Sequence, residues 1–169
     1  MRAALAIAAG LVVAGCASSN ATVPVPGAAR FPAPISARLE LPARTMPAGS
    51  SMSGHVVIEN NTGGAIHTSG CLSLFQVALV SSRYHPAIIW FACLQSFTIP
   101  AGQSRYPVTV AASYGQCGQA GPGDAAKACL PGGHMPALPA GIYRAVLFQA
   151  RHLVPAPPPI TIRVTPPRR

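Results

Sequence analysis

Acidic side chains are nearly missing from this chain: Glu40, Glu59 and Asp124 are all that 169 residues contain. Acid–base catalysis by paired carboxylates needs two such groups driven to different pKa values. Here Glu40 and Glu59 fall on the polar faces of expected strands and Asp124 falls in a loop, so that chemistry has little to work with. No Gly-x-Ser-x-Gly elbow is present for a serine nucleophile. Gly121-Pro122-Gly123 and Gly132-Gly133 lack the Lys-Ser/Thr that a phosphate-cradling loop requires. Cys-x-x-Cys is absent, and with it the ligand spacing of a structural zinc site. Amphipathic helical periodicity is missing downstream of the first sixteen residues. The expectation is a non-catalytic protein with no cofactor and no metal.

Positive charge is plentiful by contrast. The formal net charge is +9, carried by twelve Lys and Arg of which only Lys127 is a lysine. The arginines are dispersed, and only Arg168-Arg169 are adjacent. There is no basic cluster interleaved with aromatics and no RNA-binding signature, which argues against a nucleic-acid partner. A dispersed basic surface reads as a solubilising exterior, with attraction to anionic lipid as the sharper alternative.

The N-terminus carries the strongest motif. Met1-Arg2 opens with a positive charge, Ala3 to Val13 is a short apolar run, and Val13-Ala14-Gly15-Cys16 closes it. A cationic end, an apolar core and small residues before a cut describe a secretory signal peptide over residues 1–15. The cysteine directly after Ala-Gly resembles the lipobox of bacterial lipoproteins. That resemblance implies a diacylglyceryl group on Cys16, which becomes the first residue of the mature protein. It implies a lipid-anchored location at the cell membrane or outer membrane, facing the periplasm or exterior. Two or more acyl chains anchor a protein stably where one does so marginally. Residues 16–34, rich in proline and without apolar period, read as a disordered tether able to reach on the order of 55–60 Å when extended.

Five cysteines are present. With Cys16 assigned to the lipid, Cys71, Cys93, Cys117 and Cys129 remain, an even number in an exported chain. Two disulfides are expected, with three possible pairings. Proximity in sequence favours Cys71–Cys93 and Cys117–Cys129, the second stapling a Gly/Pro-rich loop.

From Ile35 onward the pattern is alternation between apolar and polar residues, the signature of half-buried strands. Strands are expected over 35–41, 52–59, 75–79, 106–110, 142–149 and 160–164. The continuous apolar run Ile88–Leu94, containing Trp90, reads as a further strand buried on both faces. Pro107 cannot donate to a ladder, so its strand is expected to lie at a sheet edge or to begin there. Turns fall at Pro47–Ser50, Asn60–Gly64, Pro100–Gly102 and Pro139–Gly141. Asn60-Asn61-Thr62 matches a glycosylation sequon but reads as a turn, because Asn tolerates positive φ. Seven or so strands without helices predict an all-β, immunoglobulin-like antiparallel β-sandwich over 35–165, followed by a tail at 166–169.

The order of Val56–Thr62, Phe75-Gln76-Val77, Trp90-Phe91, Ile99–Ser104 and Leu138–Tyr143 is similar to that of BsuPI-type proteinase-inhibitor domains. The resemblance implies an immunoglobulin-like fold and a possible inhibitory activity. Gly141-Ile142-Tyr143 also resembles the tyrosine corner of such sandwiches, with Ala145 where antibody domains place a cysteine.

Residues 111–140 form an irregular insertion longer than ordinary loops, and such loops are usually functional or disordered. It holds Tyr114, Lys127, His134 and Met135, a mixed set suited to contact, and is the expected binding loop. Met52, His55, His134 and Met135 are a soft set that would suit Cu(I), although Met52 and His55 lie on opposite faces of a strand. The expected function is a lipid-anchored envelope module that binds an unknown protein or polymer without catalysis. The alternatives are a BsuPI-like inhibitor and, more weakly, an exported copper-binding protein.

Overall fold

In the computed structural model the described residues are 33–70, 74–90, 95–118, 127–149 and 151–167. They form nine strands and no α-helix. The strands are β1 (Ile35–Glu40), β2 (Thr45–Pro47), β3 (Ser51–Asn60), β4 (Ile66–Gly70), β5 (Phe75–Val80), β6 (Gln95–Ile99), β7 (Gly102–Ala111), β8 (Gly141–Gln149) and β9 (Ile160–Thr165). A single 3-10 turn spans Pro131–Gly133.

Two sheets carry the core. One has the order β1-β3-β7 and is antiparallel throughout. The other has the order β2-β9-β8-β5 and is antiparallel except that β2 runs parallel to β9. A third, two-stranded ribbon pairs β4 with β6. The alternation in sequence becomes the layering of the sandwich. Leu39, Val56, Ile58, Val108 and Val110 point inward from the first sheet. Phe75, Val77, Leu79, Tyr143, Leu147, Ile162 and Val164 meet them from the second. Each such aliphatic side chain, once buried, stabilises the fold by roughly 1.5–3 kcal/mol. The all-β sandwich expected from the sequence is the observed architecture.

Its connectivity is immunoglobulin-like. β1, β3 and β7 take the places of strands A, B and E, and β5, β8 and β9 those of C, F and G. The chain changes sheets between Glu40 and Thr45, where Pro42 cannot continue the ladder. Gly54 makes room for that crossing, since a Cβ there would stand 2.6 Å from the Glu40 carbonyl oxygen. Tyr143, the third residue of β8, donates its hydroxyl to the Pro139 carbonyl at 2.9 Å. This is the tyrosine corner, and Ala145 beside it is fully buried. Pro107 lies on β7, an edge strand as expected.

Three expectations are corrected. Residues 88–90 are not a strand, and Ile89 is 52% exposed. The remainder of that apolar run, 91–94, lies outside the described residues. Periodicity cannot separate a buried strand from an apolar segment lying over an edge. Pro86, which cannot donate to a ladder, stands at the entry to this segment. Second, β2, β4 and β6 bring the count to nine instead of seven. β2 has only three residues and β4 has one large apolar side chain, Ile66, so neither carries a period-2 signal. Third, Asn60 does not take positive φ; among the described residues only glycines do, Gly63 among them. Asn60 is instead the buried last residue of β3. Its Nδ2 donates to the carbonyls of Gly64 (2.9 Å), Pro100 (3.1 Å) and Ile99 (3.4 Å). Its Oδ1 accepts from the Thr62 backbone N–H (3.2 Å) and hydroxyl (2.7 Å). The amide thus joins two turns that are distant in sequence.

Candidate binding cleft

β5 and β7 are the edges of their two sheets on the same side of the sandwich. After β5 the chain turns tightly: Ser81 and Tyr84 form an isolated antiparallel bridge, with the Ser81 N–H donating to the Tyr84 carbonyl at 2.9 Å. Residues 85–89 then run back past β5, and the Gln76 Nε2 donates to the Ile89 carbonyl at 3.0 Å. A side chain replaces the backbone ladder there, so a gap opens beneath the segment. Its volume is about 380 Å³. Gln76, Val77 and Leu79 form one wall, Tyr84 and Pro86 to Ile89 another, and Thr109 with Ser113 to Gln116 the third.

The insertion supplies that third wall, and its base is zipped. Ser113 bridges Ala137, the Tyr114 N–H donates to the Pro136 carbonyl at 2.9 Å, and the Leu138 N–H donates to the Ala112 carbonyl at 2.9 Å. Cys117 and Cys129 are bonded, with Cα atoms 4.8 Å apart. Beside the bridge, the Gly118 N–H donates to the Lys127 carbonyl at 2.7 Å. The Tyr84 hydroxyl accepts from the Gly115 N–H at 2.8 Å, and its ring meets Tyr114 edge-on at 5.2 Å. Edge-to-face pairs of this kind contribute roughly 0.5–1.5 kcal/mol beyond area burial. Lys127 Nζ lies 5.9 Å from the centre of the Tyr114 ring, within cation–π range.

Of the four loop residues singled out by sequence, Tyr114 lines the cleft and Lys127 stands over Tyr114. His134 and Met135 do not line it; both are exposed, and the His134 carbonyl accepts from the Leu130 N–H. Tyr84 and residues 86–89 are contributors that sequence reasoning missed. The signal available was Pro86, ahead of an apolar run too uniform to be read as a half-buried strand. Met52 packs against the core while His55 stands on the outer face. Among the described residues no three His, Cys, Asp or Glu side chains group to hold a metal ion. Cys16, Cys71 and Cys93 lie outside the described residues.

The described acids are occupied elsewhere. Glu40 accepts from Arg38 Nε at 3.0 Å and from Arg105 Nη2 at 2.8 Å. The Arg38 hydrogen bond holds its carboxyl below the ordinary value of 4.5, with Arg105 adding to the shift. Glu59 accepts from Gln103 Nε2 at 3.3 Å. Burial raises the Tyr143 phenol above its ordinary value of 10.0. No family model, no curated protein and no solved structure gives a match to this chain.

Proposed function

We propose that this is a lipid-anchored envelope protein, tethered through Cys16, whose immunoglobulin-like domain is a non-catalytic binding module. The cleft between β5, β7 and the insertion receives an extended segment of its partner. One observation carries this reading: the insertion is pinned by a disulfide, by a zipped base and by the Tyr84–Tyr114 contact so that it walls a cleft. The lining mixes aliphatic and aromatic surface with a few polar groups, Gln76, Thr109 and Gln116 among them. That is the usual make-up of a site that binds by shape and orients by hydrogen bonds.

The test joins two measurements. Detergent-phase partitioning of wild type against Cys16→Ser reads the anchor, and equal partitioning overturns it. Replacing residues 114–135 by a Gly-Ser-Gly turn keeps the Ser113–Ala137 bridge and removes the wall from Tyr114 to Gln116 together with its staple. The shortened chain, its fold checked by thermal melt, is then compared with wild type in retrieving envelope proteins and polymers. Unchanged retrieval removes the insertion from the site. Stoichiometric inhibition of a serine protease by wild type, lost in the shortened chain, moves the reading to an inhibitor.

A further inference from the structure

The outer face of the four-stranded sheet carries arginines that meet no acid among the described residues. Ile142 and Arg163 are cross-strand partners on that face, as are Arg144 and Thr161. Thr45 pairs with Arg163 from the other side, and Arg44 precedes it. Arg44, Thr45, Ile142, Thr161 and Arg163 line one open depression. All three arginines are exposed, and among the described residues none of them makes an ion pair. Aliphatic side chains continue the face: Val80 opposite Arg144, and Ala78 opposite Val146. Ile142 is 54% exposed, the largest exposure among the large apolar side chains described.

We propose that this face docks on anionic lipid headgroups at a bilayer surface. Guanidinium groups bind phosphate oxygens through a planar fork and hold their charge at any physiological pH. Aliphatic groups set among them gain by entering the headgroup boundary, as the apolar side of an interfacial element does. A nucleic-acid backbone would satisfy the arginines and leave Ile142, Val146 and Val80 without a partner. The opposite sheet is a poorer competitor, because its outward Arg38 and Arg105 both pair with Glu40, and Glu59 adds a second acid on β3. The Cys16 anchor would bring the bilayer within reach and raise its effective concentration; the proposal rests on that reading for its location, but its test does not.

The described core lies wholly between Leu39 and Val164, so residues 16–169 with Cys16→Ser hold it complete without a lipid. This chain is titrated with vesicles of phosphatidylcholine, with and without phosphatidylglycerol, and followed by co-sedimentation. Binding is expected only with phosphatidylglycerol and is expected to weaken with salt. Arg44→Ser/Arg144→Ser/Arg163→Ser should lower the partition coefficient by about 100-fold, each arginine near a charged surface contributing about fivefold. The control Arg83→Ser/Arg105→Ser/Arg151→Ser removes the same charge and should lower it by less than about tenfold. Ile142→Ser should lose about fivefold without changing the salt dependence. Equal losses in the two triple variants overturn the proposal, as does binding indifferent to phosphatidylglycerol. Tighter binding to single-stranded DNA than to the anionic vesicles also overturns it. Detergent partitioning of the lipidated chain separately decides whether Cys16 is the anchor.

Discussion

Val57 and Ile142 are both aliphatic, both point outward from a strand and both have arginine as a cross-strand neighbour, yet Val57 is 0% exposed and Ile142 is 54% exposed. Val57 sits on the central strand β3 with Arg38 on one side and Arg105 on the other. Glu40, on β1, accepts from Arg38 two residues away on the same strand and from Arg105 across β3. Arginine stems that flank a central-strand residue on both sides can lie over it while their charged heads stay in water. Ile142 lies one residue into β8, opposite Arg163, and among the described residues no carboxylate draws that arginine across it. The difference tracks the acid: the arginines beside Val57 share Glu40, and among the described residues the one beside Ile142 meets none. Where acids are scarce, one sheet closes over its apolar side chains and the other leaves them exposed between free cations.

The two sheets can be separated by substitution. Asn60 at the end of β3 and Tyr143 on β8 each make a polar side-chain contact that can be removed singly. Asn60→Ala should cost about 1–3 kcal/mol in urea unfolding, since it leaves the buried Ile99 carbonyl and the part-buried Pro100 carbonyl without their donor. A loss below about 1 kcal/mol would show that water replaces the amide. Val57→Ala should cost about 1–2 kcal/mol through lost burial, whereas Ile142→Ala should stay within about 0.5 kcal/mol. Similar values for the pair would erase the contrast drawn above. Tyr143→Phe, which removes the bond to the Pro139 carbonyl, should cost about 1 kcal/mol. The raised phenol adds stability that is present below its ordinary value and is lost as pH climbs through the raised one. Accordingly, Tyr143→Phe should also flatten alkaline unfolding above about pH 10.

Glu40 should produce the smallest effect. Its carboxyl is held low in the folded state, so its contribution is present above the ordinary value of 4.5 and disappears as pH falls through the lowered one. Glu40→Gln should therefore show a shallower loss of stability on acidification than wild type. Carboxyl titration followed by NMR gives the same answer directly, and a Glu40 midpoint at its ordinary value would remove the clamp.

Much of this fold was legible. Ile35, Ala37 and Leu39 alternate with Ser36, Arg38 and Glu40, and that period of two survives unchanged into β1. The Pro-Gly turns and the Tyr143 corner were equally visible, because they depend on residues a few positions apart. Ile88–Trp90 was misread because an apolar run carries no direction: it can enter a sheet or lie over its edge. Asn60 was read for its backbone tolerance, whereas its role is to bond Ile99 and Pro100, which lie far along the chain. Within the site, Tyr114 and the Cys117–Cys129 staple were legible from the loop itself. Tyr84 was not, since its contact with Gly115 spans 31 residues.

By itself the sequence determined the class of the domain: alternation decides which side of each strand is buried, and proline and glycine decide where strands stop. It determined the shortage of acids too, and with it the excess of positive charge. Only the tertiary structure decided which arginines would be neutralised, because Glu40 reaches Arg105 across 65 residues of chain. It likewise decided that the insertion walls a cleft instead of standing free, through the meeting of Tyr84 with Tyr114. The physical reason is the same in both cases. Which face of a strand a side chain takes is a property of its own strand, whereas the cover over that face, charge pairing and pocket formation depend on which strands become neighbours.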